Sequence, residues 1–325
     1  MSSRPDIKSE EWDLSLIPDL TGKIALVTGA NSSVGIGWNI AHQLALKGAK
    51  VYFGARNLDK AENAIAEVKK TSPSIPNGNL APFVADMTDY KQIKTSADAL
   101  VSREERLDIL INNAGVLPRP LDLDKHGISV SLSINHLAPF ALTVALLPLL
   151  KKTAAKHPGV RIVTLSSATH TTVPQTARYD SVEAFNNDFG GTDNMEFNYV
   201  RYGYSKLANI LFAKHLQKKL DSDGIAGVSL AVHPGAVKTD GAVQFAGEQV
   251  HLLNGAVTPL QGAITPIYAA TASEVWAEKG RYAAGYIVPF GVLSPDEESS
   301  LAKDPALAEE LWVTSEKVVD GIVAS

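Results

Sequence analysis

The run from Ile24 to Gly48, IALVTGANSSVGIGWNIAHQLALKG, decides the fold. Residues 24–30 are short, apolar and β-branched enough to read as a buried parallel strand. Residues 37–48 repeat apolar side chains at helical spacing and stop at a glycine, Gly48. Between the two lie Gly29, Gly35 and Gly37. Glycines at such a junction let the backbone come close to a ligand and aim helix-terminal N–H groups at it, which suits a pyrophosphate.

The same alternation continues outward. KVYFGAR (50–56), LAPFVAD (80–86), LDILINNAG (107–115), VRIVTLSS (160–167), VSLAVHPG (228–235) and RYAAGYIVPF (281–290) read as further strands. Helical patterns fall between them at 58–70, 88–103, about 131–151 and about 198–220, with a last one near 304–319. Short strands alternating with longer helices predict an α/β fold, a doubly wound seven-stranded parallel sheet with helices on both faces. We expect one domain over 21–325, preceded by an arm at 1–20. Two long segments, 168–197 and 238–257, follow strand ends on the edge where such sheets bind ligands.

Composition narrows the functions. The chain has 325 residues, 45% of them hydrophobic and 20% charged, enough for a full core. A net charge of −5 with no basic run argues against nucleic acid or an anionic membrane as partner. With no cysteine, disulfides, thiolate metal sites and cysteine nucleophiles are excluded, and no metal cluster stands out. The richest apolar run, PFALTVALLPLL, is short and contains prolines, so no membrane span is expected and a cytoplasmic protein is.

Two stretches carry chemistry. At the end of the second strand, GARN (54–57) has Arg56 where a ribose-binding carboxylate is usual in a dinucleotide-binding domain. A guanidinium there suits a 2′-phosphate, with Ser32, Ser33 and Asn57 as nearby donors, so NADP(H) is the expected cofactor. Farther on, RYGYSK (201–206) sets two tyrosines within reach of Lys206, and Tyr199 lies just upstream. At about 100° per residue, Tyr202 and Tyr199 share the face of Lys206, and Tyr204 points away.

Taken in order, TGANSSVGIG, Asp86 in ADMT, NNAG (112–115), Asn135 in SINHL, Ser167 in TLSSATH, Tyr202 with Lys206, and HPGAVKT (233–239) resemble the short-chain dehydrogenase/reductase family, nearest its retinol-dehydrogenase-like group. The resemblance covers about residues 21–290 and implies a single-domain Rossmann fold. It implies a catalytic set of Asn135, Ser167, Tyr202 and Lys206, with Tyr202 as general acid/base, Lys206 lowering its pKa and bonding the nicotinamide ribose, Ser167 orienting the substrate oxygen, and Asn135 holding a relay water. It assigns cofactor contacts to Gly29, Asn31, Gly35, Ile36 and Gly37, to Asp86 and Met87 at the adenine, and to Asn113, Ala114 and Gly115 beside it. Pro234, Gly235, Val237 and Thr239 complete that set, Thr239 at the nicotinamide carboxamide. A homodimer through the helices near 131–151 and 198–220 is implied as well.

The expected activity is therefore interconversion of a ketone or aldehyde and an alcohol. Val243, Phe245, Val250, Leu252 and Leu253 in one loop, with Val173, Tyr179, Phe185, Phe189 and Phe197 in the other, suggest a lipophilic substrate: terpenoid, steroid, retinoid or polyketide-like. Five residues, Ala30–Val34, separate the first two glycines of the turn, two more than the family's main spacing. That spacing and Tyr199 keep an enoyl (C=C) reductase as the alternative, and a non-catalytic NADP-binding regulator as a third.

Overall fold

The computed structural model describes residues 12–325. Its centre is one sheet in the order β3-β2-β1-β4-β5-β6-β7-β8. The strands are β1 (Ile24–Val27), β2 (Lys50–Ala55), β3 (Leu80–Val84), β4 (Ile109–Asn112), β5 (Val160–Leu165), β6 (Gly227–Val232), β7 (Tyr286–Val288) and β8 (Val292–Leu293). The first seven are parallel, as expected. An eighth, antiparallel strand corrects the count of seven: Phe290 and Gly291, at φ 66° and 86°, fold the chain back so that Val288 pairs with Val292. Two residues are too short a run for periodicity to register.

Side-chain alternation divides the core. Leu26, Leu110 and Ile162 point to one face, and Ala25, Val27, Ile109, Ile111 and Val163 to the other. The second face carries α1 (Ile36–Leu46) and α2 (Leu58–Thr71). The first carries α3 (Tyr90–Arg103), α4 (Val130–Lys156) and α5 (Met195–Ser222). α4 contains a π-helical turn, Ser133–Leu137. By length and composition α4 could cross a bilayer, contrary to the expectation from sequence, yet 72% of its most apolar window is buried against the sheet and its neighbours. Its apolarity is that of a core helix.

Beyond β6 come α6 (Asp240–Ala246) and α7 (Pro259–Thr271), the latter opened by a capping box between Thr258 and Gln261. α7 lies outside the alternation read from sequence because Gly262 and Pro266 interrupt its pattern. Of the expected arm, residues 1–11 lie outside the described residues. The rest packs on the α1/α7 face, with Ile17 and Leu20 buried and Trp12 edge-on to Tyr268 at 5.5 Å.

The last helix, α8 (Pro305–Ala324), lies across α4 and α5. Trp312, 4% exposed, meets Phe140 edge-on at 4.8 Å, stacks on His215 at 4.9 Å and on Phe212 at 5.9 Å. α8 thus covers part of the apolar surface of both helices. Removing the indole leaves a large hole among aromatics, so Trp312→Ala is expected to cost about 3–5 kcal/mol, read as a fall in the denaturant midpoint.

Candidate active site

A cavity of about 340 Å³ opens at the C-terminal ends of β1, β2, β3 and β4, lined among others by Gly29, Asn31, Arg56, Asp86, Asn113 and Gly115. This is the switch point where strand order reverses, β1 lying between β2 and β4. The first glycine turn is held from behind. The Thr28 hydroxyl accepts the Asn113 and Ala114 N–H groups at 3.0 Å each, and Asn113 Nδ2 donates to the Thr28 carbonyl at 2.8 Å. Asn113 thus braces the turn as well as facing the cavity. Gly29 sits at φ 67°, and a Cβ on Gly37 would lie 2.5 Å from the Gly29 carbonyl oxygen. The two additional residues close into a local turn, Gly35 N–H to Ser32 O at 2.8 Å, with Asn39 Nδ2 on the Gly35 carbonyl at 2.8 Å.

The walls fit a nicotinamide dinucleotide. Asp86 takes the Thr88 N–H and hydroxyl on Oδ1, at 2.9 and 2.8 Å, leaving Oδ2 for a ligand donor. Arg56 is exposed and in no ion pair among the described residues, and Lys60 lines the cavity beside it. Lys60 was not foreseen, although a cation in the first turn of α2, where the helix dipole disfavours it, was a readable signal. Met87 and Ala114 are on the wall. Ser32, Ser33, Gly35 and Ile36 form the turn beside it, and Asn57 caps α2, accepting from Lys60 N–H at 3.0 Å. Pro234, Gly235, Val237 and Thr239 follow β6 away from this wall. Val237 bridges to Val257, and Thr239 caps α6 by accepting from Ala242 N–H at 3.1 Å.

The second half of the site is the join between β5 and α5. Ser166 and Ser167 point opposite ways, as neighbours at a strand end must. Ser166 is buried and donates to the Lys206 carbonyl at 2.7 Å, whereas Ser167 stays partly open and caps the turn after the strand. Lys206, 5% exposed, donates to the Leu165 carbonyl at 3.1 Å, with its Nζ 5.6 Å from the Tyr202 ring centre. Asn135 is fully buried in the π-helical turn. Its Oδ1 accepts from Val116 N–H at 2.7 Å and its Nδ2 donates to the Ser205 hydroxyl at 2.9 Å. The side chain ties α4 to α5.

The electrostatics depart from expectation. Lys206 was expected to lower the Tyr202 pKa. Instead burial dominates and pushes Tyr202 up to about 12, with the Ser167 hydroxyl drawing it back and Tyr199 adding to the rise. Burial also pushes Lys206 down to about 8.

The three tyrosines separate clearly. Tyr204 is buried on the far side, stacked on Tyr179 at 4.2 Å and bonded through its hydroxyl to the Ala184 carbonyl at 3.1 Å. Tyr199 is 40% exposed and meets Phe245 of α6 edge-on at 5.9 Å. At 1.5 Å per residue it lies about 10 Å along the helix from Lys206, against about 6 Å for Tyr202. Much of the apolar surface in 168–197 packs inward: Val173, Tyr179 and Phe185 are buried. Arg201 clamps that segment through the carbonyls of Asp188 and Thr192, at 2.7 and 3.0 Å. Tyr199, Val243 and Val250 keep exposed apolar surface, and Tyr199 brings Phe245 of α6 against α5.

Comparison with known proteins agrees with this geometry. The family profile described as short chain dehydrogenase matches residues 23–197. A short-chain dehydrogenase/reductase of Armillaria gallica is 41% identical over 96% of this chain and 97% of its own length. Retinol dehydrogenase 14 of Mus musculus is 33% identical over 92% of this chain and 86% of its own. Among solved structures, an uncharacterised protein of Mycobacterium Paratuberculosis superposes with a TM-score of 0.70 at 28% identity, covering 95% of this chain and 98% of that one.

Because a Cβ at Gly37 has no room against Gly29, Gly37→Ala must push the first turn of α1 off β1. A loss of about 1–3 kcal/mol in stability is expected from overpacking. A fall in dinucleotide affinity of at least tenfold, on the order of one unit of RT ln 10, should accompany it in a fluorescence titration.

Proposed function

Since this chain belongs to the short-chain dehydrogenase/reductase family, and is an oxidoreductase working between CH–OH and C=O with a nicotinamide cofactor, we propose that it is an NADP(H)-dependent reductase of a lipophilic ketone or aldehyde, with Tyr202 as the proton donor. The observation that carries this is the meeting of Ser167, Tyr202 and Lys206 at the β5–α5 join, next to the dinucleotide cavity. The bound cofactor supplies or accepts the hydride. The Ser167 hydroxyl donates to the substrate oxygen and steadies the charge that develops there. Tyr202 gives its proton to that oxygen. Burial keeps the Tyr202 phenol protonated at neutral pH, the form that carries the proton to be delivered. On this reading Lys206 bonds the nicotinamide ribose, and the bare Cα of Gly115, whose Cβ would fall 3.4 Å from the lysine Nζ, supports it by leaving that approach open.

NADP(H) over NAD(H) rests on Arg56 and Lys60, two cations on the cavity wall with no acidic partner among the described residues. A lipophilic substrate is supported by Tyr199, Val243 and Phe245 beside the site and by the name of the mouse retinol dehydrogenase relative. We place the enzyme in the cytoplasm, a reducing compartment that a chain without cysteine suits.

Tyr202→Phe is expected to lower kcat about 10²–10⁴-fold with NADPH affinity unchanged, measured on a panel of lipophilic ketones. Full activity in that variant, or a comparable loss in Tyr199→Phe with reduction of a conjugated C=C bond, would replace this reading by the enoyl reductase. Arg56→Ala and Lys60→Ala should each weaken NADPH about 10- to 100-fold, the worth of one charge-assisted bond, and leave NADH untouched.

A further inference from the structure

We propose that the opposite edge of the sheet carries a second small-molecule site, built on Arg161, that takes an organic carboxylate with a flat body. The N-terminal ends of β4 and β5 open there onto a separate cavity of about 310 Å³, walled by Leu20, Lys23, Asp108, Gly159, Arg161 and Trp276. Arg161 is 6% exposed, yet it has no acidic partner among the described residues. Its Nη1 donates to the Gly159 carbonyl; Nε is buried without an acceptor, and Nη2 makes no hydrogen bond. The two free groups form one edge of the guanidinium, the planar fork that a carboxylate matches.

The surrounding residues make this a standing deficit. Asp108, the acid on the same wall, is held by Arg106 and by the Ile24 N–H at 2.9 Å. Asp19 is exposed and accepts from Thr21. Lys23 adds a second cation with no ion pair. A buried, unpaired charge is costly unless something compensates it, and burial pushes Arg161 down to about 10. The guanidinium cannot simply swing out. It lies over Trp276 at 5.8 Å from the ring centre, and both pack on Gly159, where a Cβ would come within 3.1 Å of the indole and 3.2 Å of Nη1. Trp276 also lines the cavity, so that a planar ligand held by the guanidinium would have an aromatic wall beside it.

The test uses the full chain saturated with NADPH, so that the cavity at Arg56 is filled, and titrates it with benzoate, with the neutral isostere benzamide, and with inorganic phosphate, followed by calorimetry. Saturable benzoate binding, weaker by about tenfold or more with benzamide, is the expected result. Arg161→Met should abolish it without loss of stability, since Met removes an unpaired buried charge. Arg161→Lys, which keeps charge and loses the fork, should weaken it about tenfold and stands in if the Met variant does not fold. No saturable benzoate binding, equal binding of benzamide, or benzoate binding unchanged in both variants would overturn the proposal. Phosphate binding tighter than benzoate and lost with Arg161 would overturn the carboxylate assignment.

Discussion

Much of the site depends on one backbone oxygen. The Leu165 carbonyl, at the end of β5, accepts from Lys206 Nζ at 3.1 Å and from Asn209 Nδ2 at 2.8 Å. Lys206 and Asn209 are one turn apart on α5, so the two bonds fix both the height and the rotation of the helix over the strand. Ser166, bonding back to the Lys206 carbonyl, adds a third tie from the strand side. With the helix fixed, Tyr202, one turn earlier, is carried to Ser167, and Tyr204 to the opposite face, where it locks the segment 168–197 through Tyr179 and Ala184. The chemistry and the packing of the segment are set by one rotation.

That arrangement hides a cation. Lys206 is 5% exposed, bonds only a neutral carbonyl among the described residues, and has no carboxylate in reach. Such a lysine is kept because the neighbouring elements leave it nowhere else to go. Asn135, braced on Val116, holds Ser205 from the α4 side, and Gly115 passes close to the ammonium. α8 closes the outside, Trp312 pressing on α4 and α5 at once and Ser315 bonding the buried His136 at 2.8 Å.

What could be read in the sequence follows from where the signals live. The parallel strands were legible because β1, β4 and β5 are buried on both faces and so are continuously apolar. That Tyr204 points away from Lys206 follows from the helix period, and Tyr204 is buried on the far side, against Tyr179. Other features are tertiary. The side-chain oxygens of Asn57 and Thr239 cap helices, a use of short polar residues that depends on where each helix begins. The Tyr202 pKa could not be read from the spacing of Tyr and Lys, because it depends on how deeply α5 is buried. α8 over α4 and α5 is a contact between distant segments that no local pattern records.

Two cations, Lys206 and Arg161, are buried in this chain with burial as the sole cause pulling down their pKa values. The contrast with Arg106 and Arg201 is instructive: the first is paired with Asp108, and the second bonds loop carbonyls through both Nη groups, although its Nε also lacks an acceptor. Lys206 lies beside Gly115, which lines the dinucleotide-sized cavity. Arg161 borders a cavity at the other end of the same strand, β5, with one carbonyl and one aromatic face as its company. A fold can satisfy a buried cation with its own acids, as it does at Asp108, so leaving one unsatisfied beside open space is a choice the ligand must answer. By that reasoning β5 carries a ligand-dependent charge at each end, and the sheet is used on both of its edges.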